Sequence, residues 1–129
     1  MTPTTTQRRP KLYFDTDKDP SHVTFDDGKQ SRHNLPWTHY VEARWDYDEP
    51  DTIRIEIGEW VVVMRGHNLG PLYLALEDRS LLRVRAQPAF GEDSEREHDT
   101  FVTELRLTKP PASGGTVKRR GQTELDLGG

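Results

Sequence analysis

Apolar and polar residues alternate along four stretches of the chain: residues 40–47, 52–57, 81–88 and 100–107. A period of two is typical of a β-strand that buries one face, because successive side chains point to opposite sides of a sheet. In the first stretch the apolar positions predicted to face inward are Val41, Ala43, Trp45 and Tyr47. Residues 60–65 read WVVVMR, and this almost continuous apolar run predicts a central strand covered on both faces.

Two local signals add a hairpin and a helix. Residues 22–25 and 29–33 flank an Asp-Asp-Gly turn, and Asp-Gly supplies the positive φ angles that a tight hairpin needs. From Leu69 onward, apolar residues recur at i, i+3, i+4 and i+7, which indicates one amphipathic helix of about ten residues. Asn68 is the predicted N-cap of this helix, because a short polar side chain there can accept a free backbone N–H.

Together these elements predict a mainly β (α+β) fold. We expect a curled antiparallel sheet or a small β-barrel of about six to seven strands, with one short helix between strands 5 and 6. The globular domain is predicted to span residues 21–108. Residues 1–20 and 109–129 carry no periodic apolar face, so we expect a flexible N-terminal segment and a disordered C-terminal tail.

Composition narrows the class of protein. The chain has 129 residues, of which 32% are hydrophobic and 31% charged, and it has no cysteine. Disulfides and thiolate metal sites are therefore excluded. No stretch approaches the roughly 18 apolar residues of a membrane span, and the N-terminus has no apolar signal core. We therefore expect a soluble, cytoplasmic protein without a membrane partner.

The charge is unevenly distributed. Residues 21–108 hold 10 Lys and Arg against 17 Asp and Glu, whereas both ends have a small positive excess. Nucleic acid is therefore not an expected partner of the acidic core, because phosphate binding needs a continuous basic surface. It can be a partner of the basic residues near the ends, which are Arg8, Arg9, Lys11, Lys118, Arg119 and Arg120.

No catalytic motif, cofactor motif or metal-ligand spacing is present. His33 and His39 flank the loop HNLPWTHY, but they have neither the spacing nor the further ligands of a zinc site. A histidine base in this loop would lack an identifiable nucleophile. We therefore interpret His33, His39 and Trp37 as partner contacts, with Trp37 acting in this way only if its side chain is exposed.

The C-terminal QTELDL places Leu125 and Leu127 behind Gln122. This segment resembles the short peptides with which bacterial replication and repair proteins bind the sliding clamp. The resemblance covers six residues and implies that Gln122 would enter a polar subsite while the leucines fill a hydrophobic cleft. Thr123 and Gly128 stand where that family favours apolar or bulky residues.

Three functional hypotheses follow. The first is a non-enzymatic protein–protein interaction module that binds an unknown protein through a sheet edge, the Trp37 loop or the tail, with edge strands also able to pair copies of the chain. The second is a nucleic-acid-associated accessory protein with basic tails. The third is a small enzyme with a histidine-based loop site.

Overall fold

The computed structural model describes residues 10–92 and 96–110 of the chain. Within them, eight strands and one α-helix follow one another in this order: β1 (Phe14–Thr16), β2 (His22–Asp26), β3 (Arg32–Pro36), β4 (Tyr40–Arg44), β5 (Thr52–Ile57), β6 (Trp60–His67), α1 (Gly70–Glu77), β7 (Leu81–Arg85) and β8 (Phe101–Thr108). A 3₁₀ turn at Trp37–His39 joins β3 to β4, and another at Pro88–Glu92 follows β7. The mainly β prediction is confirmed, and the helix lies between β6 and β7.

The strands form two four-stranded sheets and not a closed barrel. The first sheet has the order β1-β7-β2-β3 and the second the order β4-β5-β6-β8. All neighbouring strands are antiparallel except β2 and β7, which are parallel. Strand β1 is additional to the six to seven strands that were predicted. It lies within residues 1–20, and its three residues are too few to show a period in the sequence.

The two sheets meet along one side only. Isolated bridges between Leu12 and Thr100 and between Ala86 and Val102 connect the first sheet to the start of β8. On the other side the edge strands β3 and β4 do not pair with each other in the described residues, although only the Trp37–His39 turn separates them. The molecule therefore has an open side, flanked by one edge of each sheet.

Both sheets and α1 contribute to a single hydrophobic core. The isoleucines of β5 are all buried, which confirms the alternation seen in its sequence. Fully buried side chains from the other elements include Phe25, Met64, Leu76 and Val84. In β6, Val61 and Val63 are only half-buried, so this strand is not covered on both faces as expected.

Strand β4 departs from the predicted alternation. A bulge between Tyr40 and Glu42 inserts one extra residue, and Val41 is 63% exposed instead of facing the core. The bulge changes which side chain faces inward on its N-terminal side, so Tyr40 takes that position in place of Val41, whereas Ala43 packs against the core as predicted. Tyr47 lies beyond the end of the strand and is fully exposed.

The helix begins where the period changes, but Asn68 does not cap it. The N-cap is Leu69, without a side-chain hydrogen bond. Asn68 has a φ of 52°, and its side-chain amide donates to the carbonyl oxygens of Glu97 and Asp99 at 2.8 and 3.0 Å. The residue therefore fixes the segment that precedes β8. The buried stripe of α1 includes Leu72 and Leu76, as predicted.

Candidate binding cleft at the edge of β3

The β2–β3 hairpin is fixed by two carboxylates: Asp26 Oδ1 accepts the Gly28 N–H at 2.8 Å, and Asp27 accepts several more. Asp27 Oδ1 accepts the backbone N–H groups of Lys29 and Gln30, both at 2.8 Å. It also accepts that of Ser31 at 3.2 Å. These backbone donors, with Lys29 contributing most, hold the pKa of the Asp27 carboxyl below its ordinary value. Gly28 takes a φ of 76°, which completes the turn predicted from Asp-Gly.

Two backbone hydrogen bonds bracket the ladder between β2 and β3. At one end Trp37 N–H donates to the carbonyl oxygen of Ser21 at 3.0 Å. At the other end Asp27 N–H donates to the carbonyl oxygen of Ser31 at 3.1 Å. In an antiparallel pair, hydrogen-bonded positions recur at every second residue. The odd-numbered residues of this strand therefore bond to β2.

The even-numbered residues of β3 point their backbone groups the other way. His33 and Leu35 use their N–H and C=O groups in the ladder with β2. Arg32 and Asn34 direct theirs toward the open side, where no described backbone group pairs with them. Pro36 has no N–H and ends this row of donors. Strand β3 thus presents a short, unpaired edge.

A cleft lies between this edge and the turn that joins β5 to β6. It has a volume of about 410 Å³ and is called here the β3 cleft; its lining residues are Leu35, Pro36, His39, Ile57, Gly58, Glu59 and Trp60. Gly58, with a φ of 60°, donates its N–H to the carbonyl oxygen of His39 at 2.7 Å. This bond fixes the β5–β6 turn against the residue that leads into β4.

The Trp60 indole contacts both an aromatic ring and a charged group at the cleft. The His33 ring packs against it edge to face, with ring centroids 4.7 Å apart. On the same indole, Lys109 Nζ lies 4.9 Å from the ring centroid, and it is 3.9 Å from Glu59 Oε1. His33 Nδ1 is buried and has no hydrogen-bond partner among the described residues. A buried nitrogen without a partner is uncommon and distinguishes this position from the rest of the sheet.

The predicted site residues have different structural roles. His39 lines the cleft and His33 packs on Trp60, so the two histidines lie at one site. Trp37 is only 5% exposed, and its Nε1 donates to the carbonyl oxygen of Leu81 at 3.1 Å. Its ring also packs edge to face on Tyr40, with centroids 5.1 Å apart. The exposure on which a partner-contact role for Trp37 depended is therefore not observed.

The remaining predicted contacts are Gln122, Leu125 and Leu127, which lie outside the described residues. The basic residues Arg8 and Arg9 lie outside them as well. The sliding-clamp resemblance and the nucleic-acid hypothesis therefore stay predictions.

The cleft offers little acid–base chemistry. His39 and Glu59 are the only ionisable side chains that line it. In the described part of the chain, no carboxylate forms a hydrogen bond or ion pair with His33 or His39. That part also contains no group of three residues able to hold a metal ion.

Sequence reasoning missed Glu59, Trp60 and Lys109 as site residues. The Gly-Glu pair before the WVVVMR run does indicate the turn between two strands. Nothing local places that turn opposite β3, because the contact depends on how the two sheets pack.

No protein-family model, curated protein or solved structure matches this chain. Among the described residues, no helix is long and apolar enough to cross a bilayer.

Proposed function

We propose that this chain is a non-enzymatic protein-binding module that accepts an extended segment of a partner protein at the edge of β3. The observation that supports this proposal is the unpaired backbone of Arg32 and Asn34 beside the β3 cleft. A strand added at such an edge gains backbone hydrogen bonds, while neighbouring pockets select its side chains.

The geometry limits what the partner segment can be. Arg32 and Asn34 together offer two N–H donors and two carbonyl acceptors, and Pro36 closes one end of the row. A partner would therefore pair over a few residues only. Because successive side chains of an added strand point to opposite faces, every second one is directed toward the apolar wall formed by Leu35, Ile57 and Trp60.

The edge of β3 also has features that limit strand pairing at the sheet edges of natural proteins. It is short, it ends in a proline, and Arg32 places a charge beside it. These features disfavour uncontrolled pairing with other sheets. They fit a partner that is selected by the cleft as well as by the backbone.

The test removes one backbone donor and little else. In Asn34→Pro the outward N–H is lost, whereas the ladder to β2 does not use it. Asn34→Ala is the matched control, because it keeps the N–H but loses the side-chain bond from Nδ2 to Thr24 Oγ1, which is 2.9 Å long. Peptides would be selected from a displayed random library on the wild-type protein and measured by calorimetry against both variants.

We expect the selected peptides to keep their affinity for Asn34→Ala and to lose about tenfold or more for Asn34→Pro, which is about 1.4 kcal/mol. Equal affinity for both variants, with unchanged circular dichroism, would contradict the proposal. Sedimentation of the wild type tests one special case. A dimer that Asn34→Pro dissolves would show that the partner segment is β3 of a second copy.

A further inference from the structure

A second cleft lies where the end of β4 approaches α1, away from the edge of β3. It has a volume of about 520 Å³ and is called here the Trp45 cleft; its lining residues are Trp45, Asp46, Tyr47, Pro50, Tyr73 and Glu77. Half of these residues are aromatic, and two are acidic. Two of the aromatic residues, Trp45 and Tyr73, also pack against the hydrophobic core.

The aromatic walls are held in place. The Trp45 and Tyr73 rings are 5.4 Å apart between centroids and inclined by 43°. Trp45 Nε1 donates to the carbonyl oxygen of Pro50 at 2.9 Å, which fixes the indole on the turn that follows β4. Tyr47, in contrast, is fully exposed. The cleft thus has two oriented rings and a third ring that faces solvent.

The two acidic side chains of the cleft differ in their pairing. Glu77 forms no ion pair within the described residues, and Asp46 is paired with the exposed Arg44 at 3.6 Å. The nearby phenol of Tyr40 shows the effect of this environment. Its pKa is raised by burial and, to a smaller extent, by Tyr73 and Glu77 and by Glu42 on its own strand. The raised pKa keeps the phenol in its protonated form at neutral pH.

We propose that the Trp45 cleft binds the cationic side chain of a partner protein, in the first place an arginine. The faces of aromatic rings carry negative potential and attract cations, and a planar guanidinium can stack on a ring while it donates hydrogen bonds to a carboxylate. An uncharged apolar or proline-rich segment would instead desolvate Glu77 without compensation. This site is separate from the β3 cleft and does not depend on strand addition there.

The probe is the peptide acetyl-Gly-Arg-Gly-amide, with acetyl-Gly-citrulline-Gly-amide as its neutral isostere. Binding is followed by NMR through the indole N–H signals of Trp37, Trp45 and Trp60, assigned with single Trp→Phe variants. The three indoles report separately on the core, the Trp45 cleft and the β3 cleft.

We expect the arginine peptide to shift the Trp45 signal in a saturable way and to leave the Trp60 signal unchanged. The citrulline peptide should bind about two- to fivefold more weakly or worse, as the loss of a cation–π contact at an exposed site predicts. Glu77→Gln should weaken the arginine peptide by about threefold without affecting the citrulline peptide. Glu104→Gln, an acidic change on the exposed face of β8, is the control and should have no effect.

Four results would overturn the proposal. They are equal binding of both peptides, arginine binding that Glu77→Gln leaves intact, no saturable shift of Trp45 at tens of millimolar peptide, and tighter binding of a tetraproline peptide than of the arginine peptide. Circular dichroism of each variant establishes that the fold is preserved in these comparisons.

Discussion

Strands β3 and β4 flank the same open side of the molecule, yet they present different surfaces to it. Strand β3 is regular, and its unpaired backbone groups at Arg32 and Asn34 face outward. Strand β4 is bulged at Val41 and contacts α1, so that aromatic and acidic side chains dominate its surroundings. We therefore propose that the first edge recognises a backbone and that the cleft beyond the end of β4 recognises a side chain.

The two edges also differ in the features that limit further strand pairing. A short strand that ends in proline limits pairing at β3, and a bulge together with a neighbouring helix limits it at β4. The residues between the two strands, Trp37–His39, hold both edges in position. The following experiments test whether the two edges are as distinct as this comparison implies.

The largest effect is expected at Trp37, because its indole anchors the connection between the two edges. Trp37→Ala should lower the free energy of unfolding by about 3–5 kcal/mol, as loss of a buried aromatic side chain does. Trp60→Ala should cost only about 1–2 kcal/mol, because Trp60 is half-buried in the β3 cleft. Urea denaturation measures both values, and a larger loss for Trp60→Ala would reverse the assignment of structural and site tryptophans.

The next effect compares the β2–β3 turn, at Gly28, with the β5–β6 turn, at Gly58. At Gly28, with a φ of 76°, a Cβ would lie 2.7 Å from the carbonyl oxygen of Ala86, so the backbone must move. Gly28→Ala should therefore cost about 3 kcal/mol, combining left-handed strain with overpacking. At Gly58, with a φ of 60°, the nearest atom is 3.5 Å away in His39. Gly58→Ala should cost only about 1 kcal/mol, from left-handed strain alone.

The outcome for this glycine pair is read from thermal or urea unfolding. Similar losses for the two variants would mean that the β2–β3 turn is not packed against Ala86 as described. Gly28→Ala should weaken binding at the edge of β3 more than Gly58→Ala does.

A smaller effect concerns alkaline pH and the β4 side. Burial and the neighbouring charges raise the pKa of Tyr40 above its ordinary value of 10.0. The folded state therefore keeps the phenol proton longer than the unfolded state does. The contribution of Tyr40 to stability is full below pH 10 and is lost as the pH rises through the folded pKa. Tyr40→Phe should reduce the loss of stability above pH 10, measured by urea unfolding at several pH values; an unchanged alkaline profile would contradict this account.

The smallest effect compares two carboxylates that precede or follow the edge strands. The pKa of Asp27 is lowered by backbone donors, whereas that of Glu49 is lowered by Arg54, whose Nη1 lies 2.8 Å from Oε1. Both groups stabilise the fold above their unfolded pKa values, and both contributions are lost as the pH falls through the folded values. Salt screens an exposed ion pair more than local hydrogen bonds.

Carbon-detected NMR titration in low and high salt measures this difference. Added salt should return the pKa of Glu49 toward its ordinary value and leave that of Asp27 nearly unchanged. Equal salt effects on the two carboxylates would show that the charge of Arg54 is not what distinguishes them.

Much of the fold was predictable where the pattern was strong. The alternation in β5 predicted the three buried isoleucines, and the change of period after residue 67 predicted α1. The prediction failed where one residue changed the pattern. The bulge in β4 turned Val41 outward and Tyr40 inward, and Asn68 used its side chain to bond a distant loop instead of the helix N-terminus.

The sequence indicated only some of the residues that form the two clefts. It singled out His33 and His39, and both lie at the β3 cleft. It placed Trp45 and Tyr47 on the buried face of a strand. Trp45 does pack against the core, whereas Tyr47 is fully exposed. Both line a cleft with Tyr73 and Glu77. That correction depends on where β4 ends, which local patterning does not specify.

The sequence by itself determined the β-rich class, most strands, the helix and the acidic character of the central region, because these follow from local period and from composition. The tertiary structure decided which edges stay open and which side chains meet there. The shared core determines three long-range features: the strand order, the parallel pairing of β2 with β7 and the packing of α1 beside β4. Both candidate sites depend on these features, because each lies where packing brings together residues that are distant in the chain.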